Sequence, residues 1–237
     1  MSRQLSADRI DETVRALARR IAERFPASGL AHVCSDLQAI AQEAAERVVT
    51  LARPHRLLRC GVALLIALLL AVVIVVTLNL RVSGRVDSVG ELLQALEAGL
   101  NTVVFLGIAI FFLTTLEQRI KRRSALHGLH DLRSVAHIVD MHQLTKDPEL
   151  VMGAGPTTAS SPQRRAMTRF ELSRYLDYCS EMLAITGKVA ALYAQHLHDP
   201  VVLDAVNDIE QLTTGISGKV WQKIMILDFV APPTAGA

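Results

Sequence analysis

Four of the chain's eight histidines fall between His127 and His142. At 100° per residue, His127, His130, Ser134, His137 and Met141 share one face of a helix, opposite its leucines. His127 and His130 stand three residues apart, a spacing that lets two imidazoles share one ion, so His127, His130 and His137 are candidate ligands for a divalent metal. Asp131, Asp140 and His142 flank that face. The ligands still missing would have to come from another helix, through Glu171, Asp177 or Glu181, or from a second subunit. No Glu-x-x-His pair and no His-Glu-x-x-His motif occurs. The plainer reading of the face is a solvated polar surface with weak pH sensitivity, and it is preferred, so no cofactor is expected.

Within the same face, His130-Asp131-Leu132-Arg133-Ser134 resembles the phospho-accepting H-box of sensor histidine kinases, whose core is His-Glu/Asp-Leu-Arg-Thr/Ser. The resemblance implies that His130 accepts phosphate, that Asp131 assists as a base and that Ser134 takes the usual Thr position. Val135 stands where that motif carries proline. The chain contains no glycine-rich ATP-binding domain, so a separate donor kinase would have to supply the phosphate.

No other enzyme signature accompanies these residues. A phosphate-cradling glycine loop, a Gly-x-Ser-x-Gly elbow and a Cys-His pair of recognisable spacing are all missing from the sequence. No catalytic residue is therefore expected, and the protein reads as a non-enzyme. Three scattered cysteines, Cys34, Cys60 and Cys179, make neither a disulfide scaffold nor a zinc ribbon. A net charge of +2 gives no reason to expect a nucleic-acid partner. Arg119, Lys121, Arg122 and Arg123 form a local basic cluster suited to anionic lipid headgroups.

The elements that must carry these residues follow from an excess of hydrophobicity. Hydrophobic residues make up 51% of the 237, charged residues 20%, and mean hydropathy is +0.31. Most of the excess sits in two uncharged stretches, residues 61–80 and 98–116. Twenty helical residues extend about 30 Å, the thickness of a bilayer's hydrocarbon core. Arg53, His55, Arg56 and Arg59 precede the first stretch, and the Arg119–Arg123 cluster follows the second. By the positive-inside rule both ends of this hairpin belong in the cytoplasm. The first 52 residues are polar and helical in pattern and do not read as a signal peptide. The expected location is the bacterial inner (plasma) membrane, multi-pass, with both termini cytoplasmic.

The remainder is helical in pattern. Ile10, Val14, Leu17 and Ile21 make one stripe, and Pro26 to Gly29 break it. Leu30, Val33, Leu37, Ile40, Ala44, Val48 and Leu51 make a second, coiled-coil-like stripe. Ser88 and Glu91 fit a capping box, as do Thr168 and Glu171, which open a helix carrying Phe170, Leu172, Tyr175, Leu176, Cys179, Met182, Leu183 and Val189 on its apolar side, while Asp199-Pro200 starts a last helix with the stripe Val202, Val206, Ile209, Leu212, Ile216, Val220 and Ile224. Trp221 is assigned to core packing beside the last stripe, with a membrane-surface anchor as the alternative. The fold class is accordingly an all-α integral membrane protein, a two-helix transmembrane hairpin with a cytoplasmic helical bundle formed by both tails. Its parts are N-terminal helices (1–56), a first span (57–81), an outer connector with an amphipathic helix (82–97) and a second span (98–117). A C-terminal bundle (118–227, with a flexible loop at 153–166) and a tail (228–237) complete it.

The composition and the absent motifs together point to a scaffold or signalling adaptor, oligomeric by self-association. Membrane lipids and a protein held through the cytoplasmic helices are its expected partners. An alternative is an oligomeric two-span pore or transport-associated subunit, lined by Thr77, Asn79, Asn101, Thr102, Thr114 and Thr115. Metal or phosphate chemistry at the histidine face is the third reading.

Overall fold

A computed structural model describes residues 4–53, 56–83, 89–151 and 167–229. Every regular element among them is helical: α1 (Ala7–Arg24), α2 (Gly29–Ala52), α3 (Arg56–Ser83), α4 (Val89–Leu144), the four-residue α5 (Pro148–Val151), α6 (Arg169–His196) and α7 (Pro200–Phe229). Two compact units arise. One comprises Met1–Ala52 and Ser124–Ala237, the other Arg53–Arg123. The capping box expected at Ser88, the loop expected at 153–166 and most of the tail lie outside the described residues.

The first unit is a bundle. Ser6 caps α1, accepting from Arg9 N, and the stripe Ile10, Val14, Leu17, Ile21 is what α1 buries. Ala27 reverses the chain in the left-handed region, at φ 54°, and α2 then runs back along α1 with Gln42 donating to Asp11. Here the sequence stripe drifts. Cys34 and Ala41 are buried, and Ile40 is only half-buried. The reason is that α2 packs on both α1 and α6, so it needs a face wider than a 3-4 seam.

Two layers fix how the end of α4 enters this bundle. Gly128 lies against Arg47 of α2 and Tyr193 of α6, and His142 lies against Gly29 and Tyr175 of the same two helices. As α4 advances from 128 to 142, its neighbours run from 47 to 29 and from 193 to 175, so it is antiparallel to both. Leu129, Leu132, Val135, Ala136 and Val139 point inward between those layers. They join fully buried Leu17, Leu37, Leu176, Met182 and Ile209. Full burial of such a side chain stabilises by about 1.5–3 kcal/mol.

Polar contacts close the ends of the bundle. Thr168 and Glu171 form the expected reciprocal capping box at the start of α6. Asp199 accepts from Val201 N and Val202 N to start α7, with Pro200 at its first position. Lys223 donates to the carbonyls of Gln143 and Lys146, at 2.6 and 2.9 Å, satisfying acceptors at the end of α4. One sequence assignment is corrected. Trp221 is 60% exposed, not in the core, because the stripe of α7 passes through Val220 and Ile224 and turns its neighbour outward.

The second unit contains α3 and the first part of α4. Among the described residues one helix is long and apolar enough to cross a membrane, Gly99–Leu144, and its apolar stretch is unburied. In α3 the corresponding stretch is shorter, Arg59–Val75. Leu64, Leu68, Ile74, Val103, Phe105, Ile108 and Phe111 all face outward.

Candidate functional site

The histidine face forms as the spacing predicts. His127, His130, Ser134, His137 and Met141 are exposed on α4, and the leucines beneath them are buried. Ser134 donates to the carbonyl of His130 at 3.1 Å, a bond within its own helix. His130 is thus open to solvent, as a phospho-acceptor must be, but so is any polar residue on a bundle's outer face.

The proposed completing ligands go elsewhere. Glu171 is spent on the capping box, Asp177 pairs with Arg174 at 3.3 Å, and Glu181 takes two bonds from Arg20, at 3.2 and 2.5 Å. Among the described residues no three His, Cys, Asp or Glu side chains gather in a way that could hold a metal ion. Of the three candidate histidines, only His127 and His130 share a helical turn. His142 does not join the exposed face. It is half-buried, its Nδ1 is 3.4 Å from the Tyr175 hydroxyl, and Lys146 lies over the Tyr175 ring. Burial and Lys146 together depress its pKa below the ordinary value.

The basic cluster is organised by a residue that the sequence reading did not single out. Glu117 accepts from Arg59 Nε at 2.6 Å and pairs with Lys121 at 3.0 Å. Lys121 also donates to the carbonyl of Arg53 at 2.9 Å. The pairing of Glu117 with Lys121 was legible as an i, i+4 spacing. The bond to Arg59, 58 positions away, needs the helix pairing and was not. Arg119 behaves differently. Its guanidinium lies 5.0 Å from the centre of the Phe112 ring, one heptad back on the same face. Arg119 and Arg123 are exposed, and Arg122 is half-buried.

The pore-lining set divides as well. Thr114 and Thr115 donate to the carbonyls of Phe111 and Phe112 in their own helix, and Asn101 and Thr102 are exposed. The side chains of Thr77 and Asn79 lie outside the described residues.

A second cluster also escaped the sequence. Phe170, expected on the apolar side of α6, is instead 59% exposed and stacked by Arg24 and Arg174. Beside it, Arg20, Glu23, Arg24 and Tyr178 line an open cleft of about 400 Å³. Arg20 there is already neutralised by Glu181. The buried nucleophiles are quiet. Burial pushes the Cys34 thiol up to about 11 and that of Cys179 up to about 12. Comparison with known protein families, known proteins and solved structures finds no match to this chain.

Proposed function

We propose that the chain is a non-enzymatic, membrane-anchored helical scaffold or signalling adaptor that self-associates. In this reading α3 and α4 form a two-span hairpin in a bacterial inner membrane, and the bundle lies in the cytoplasm. One observation carries the reading. The bundle buries its own apolar stripes, whereas among the described side chains Leu64, Leu68, Val72 and Ile74 of α3 and Leu100, Val103, Phe105, Ile108 and Phe111 of α4 turn outward. Apolar faces on that scale need lipid or protein to cover them, and helices meet the bilayer's demand that backbone groups pair internally. Although its described apolar stretch is the shorter, α3 has 28 residues and extends about 42 Å. The charged residues Arg59, Glu117 and Lys121 meet where the apolar stretches end, as expected at a membrane border.

The quiet chemistry of the bundle supports a non-enzymatic role. Its buried thiols are protonated at neutral pH and serve as packing groups. The pore reading has less behind it, since Thr114 and Thr115 spend their hydroxyls on their own helix. The test is alkaline carbonate extraction of native membranes, followed by protease protection in inverted and right-side-out vesicles and by chemical crosslinking. We expect retention in the pellet, both tails accessible only from the cytoplasmic side, and a discrete crosslinked oligomer. Release into the supernatant overturns the anchor, and a strictly monomeric, partnerless protein overturns the scaffold.

A further inference from the structure

We propose that Arg119 and Arg123 form a binding site for the phosphate of anionic phospholipid headgroups. The inference rests on the membrane reading above and narrows the basic cluster to two residues. The two stand one helical turn apart on α4 and are exposed. No carboxylate pairs with either among the described residues. Glu117, the acid nearest to them in sequence, is occupied by Arg59 and Lys121. Lys121 is further held by the Arg53 carbonyl. Lys121, with Arg59, thus serves the pairing of the two helices, Arg122 is half-buried, and Arg119 and Arg123 are the exposed pair that faces an outside anion.

Arg119 is also placed for that anion. Stacking over Phe112 draws its guanidinium back toward the apolar stretch instead of away from it. Phe112 itself is half-exposed, so the guanidinium lies at the boundary between the apolar belt and the charged residues. Lipid phosphates occupy that level of a membrane. A guanidinium meets a phosphate through two parallel N–H···O bonds, and it keeps its charge at every accessible pH. Arg123, one turn further from the apolar stretch, reaches the same headgroup layer. Two positive charges with no carboxylate partner among the described residues favour a net-negative headgroup over a zwitterionic one, whose own cation already answers its phosphate.

The test uses the full chain in nanodiscs of phosphatidylcholine mixed equally with phosphatidylglycerol, with co-purifying lipid counted by native mass spectrometry. At about fivefold per arginine, wild type should retain phosphatidylglycerol over phosphatidylcholine by roughly 30-fold. The double variant Arg119→Gln/Arg123→Gln should fall to parity, and Arg119→Lys/Arg123→Lys should keep an intermediate preference. Arg133→Gln, an exposed arginine elsewhere on α4, should change nothing. Glu117→Gln, which releases Arg59 and Lys121, should raise the preference. Unchanged retention in the double glutamine variant overturns the site, as does an equal loss in Arg133→Gln. Displacement of the lipid by inorganic phosphate assigns the site to a free anion and overturns it too. A chain that fails to enter nanodiscs and washes off membranes refutes the membrane reading itself. A chain that enters without lipid preference refutes this site alone.

Discussion

Tyr193 of α6 packs its phenol directly over Gly128 of α4, filling the space where a side chain at 128 would begin. A Cβ built on Gly128 would overlap the Tyr193 hydroxyl and the Arg47 guanidinium. Tyr193 is among the largest fully buried side chains and has nowhere to retreat. Its hydroxyl is buried without a hydrogen-bond partner of ordinary geometry, and the nearby Arg47 guanidinium only partly offsets the rise in pKa that burial causes. Gly128→Ala should therefore destabilise the bundle by about 1–3 kcal/mol, the cost of overpacking. Tyr193→Phe, which removes an unpaired buried hydroxyl, should be neutral or stabilising by up to about 1 kcal/mol. Thermal unfolding in detergent reads both. A large loss in Tyr193→Phe would mean that the hydroxyl pairs with Arg47 after all.

His142 gives the bundle an acid-sensitive joint. Its imidazole faces Gly29 at the start of α2, the Tyr175 hydroxyl on α6 and Lys146 on its own segment. Lys223 of α7 binds the adjoining carbonyls of Gln143 and Lys146. Burial disfavours the charged imidazole there and the Lys146 charge adds to it, so the folded pKa is depressed. Well above 6.5 the imidazole is neutral in both states and contributes no pH dependence. As pH falls below 6.5, the unfolded chain takes up the proton before the folded chain does, so stability declines until the depressed folded value is passed. His142→Gln should flatten this part of the stability–pH curve. If the slope survives that change, another group is responsible.

The three thiols should separate cleanly under alkylation. Cys60 is exposed on α3 next to Arg59, at the water-facing border of the proposed span and not in its apolar middle, whereas Cys34 and Cys179 are buried with their pKa values raised. Thiolate is the reactive form, and both its fraction and its access are suppressed at the buried pair. N-ethylmaleimide on the folded protein should add to Cys60 alone, and after denaturation to all three, as intact mass would show. Rapid native labelling of Cys179 would mean that α6 and α7 part far more readily than their packing implies.

How much of this was legible depended on distance along the chain. The stripe Ile10, Val14, Leu17, Ile21 and the capping box Thr168–Glu171 are written in spacings of three and four, and both form. The histidine face is legible for the same reason. Contacts between distant helices left weaker marks. Nothing local distinguishes Glu117 from a surface acid until α3 brings Arg59 to it. Phe170 reads as an apolar-face residue because two arginines that stack on it lie outside its stripe, one of them on α1. Trp221 fails similarly, since a one-position offset from the buried stripe turns a large residue to the outside. Single-helix periodicity predicts which face is buried better than it predicts the edges, where packing against a second neighbour decides.

Two helix starts that look alike in sequence should differ in what they contribute. Thr168 caps α6 from an exposed position, so water can replace its side chain at the freed Glu171 N–H. Asp199 caps α7 while itself buried, at 7% exposure, and holds the N–H groups of Val201 and Val202, the latter also buried. Water has poorer access there, so removing the carboxylate leaves donors unsatisfied at fuller cost. Thr168→Ala should lower stability by about 0.5–1 kcal/mol and Asp199→Ala by about 2 kcal/mol. Asp199→Asn, which keeps an accepting oxygen in place, should recover most of the difference. Chemical unfolding of the three variants under one condition ranks them. If Thr168→Ala proves the costlier, burial is not what sets the strength of these caps.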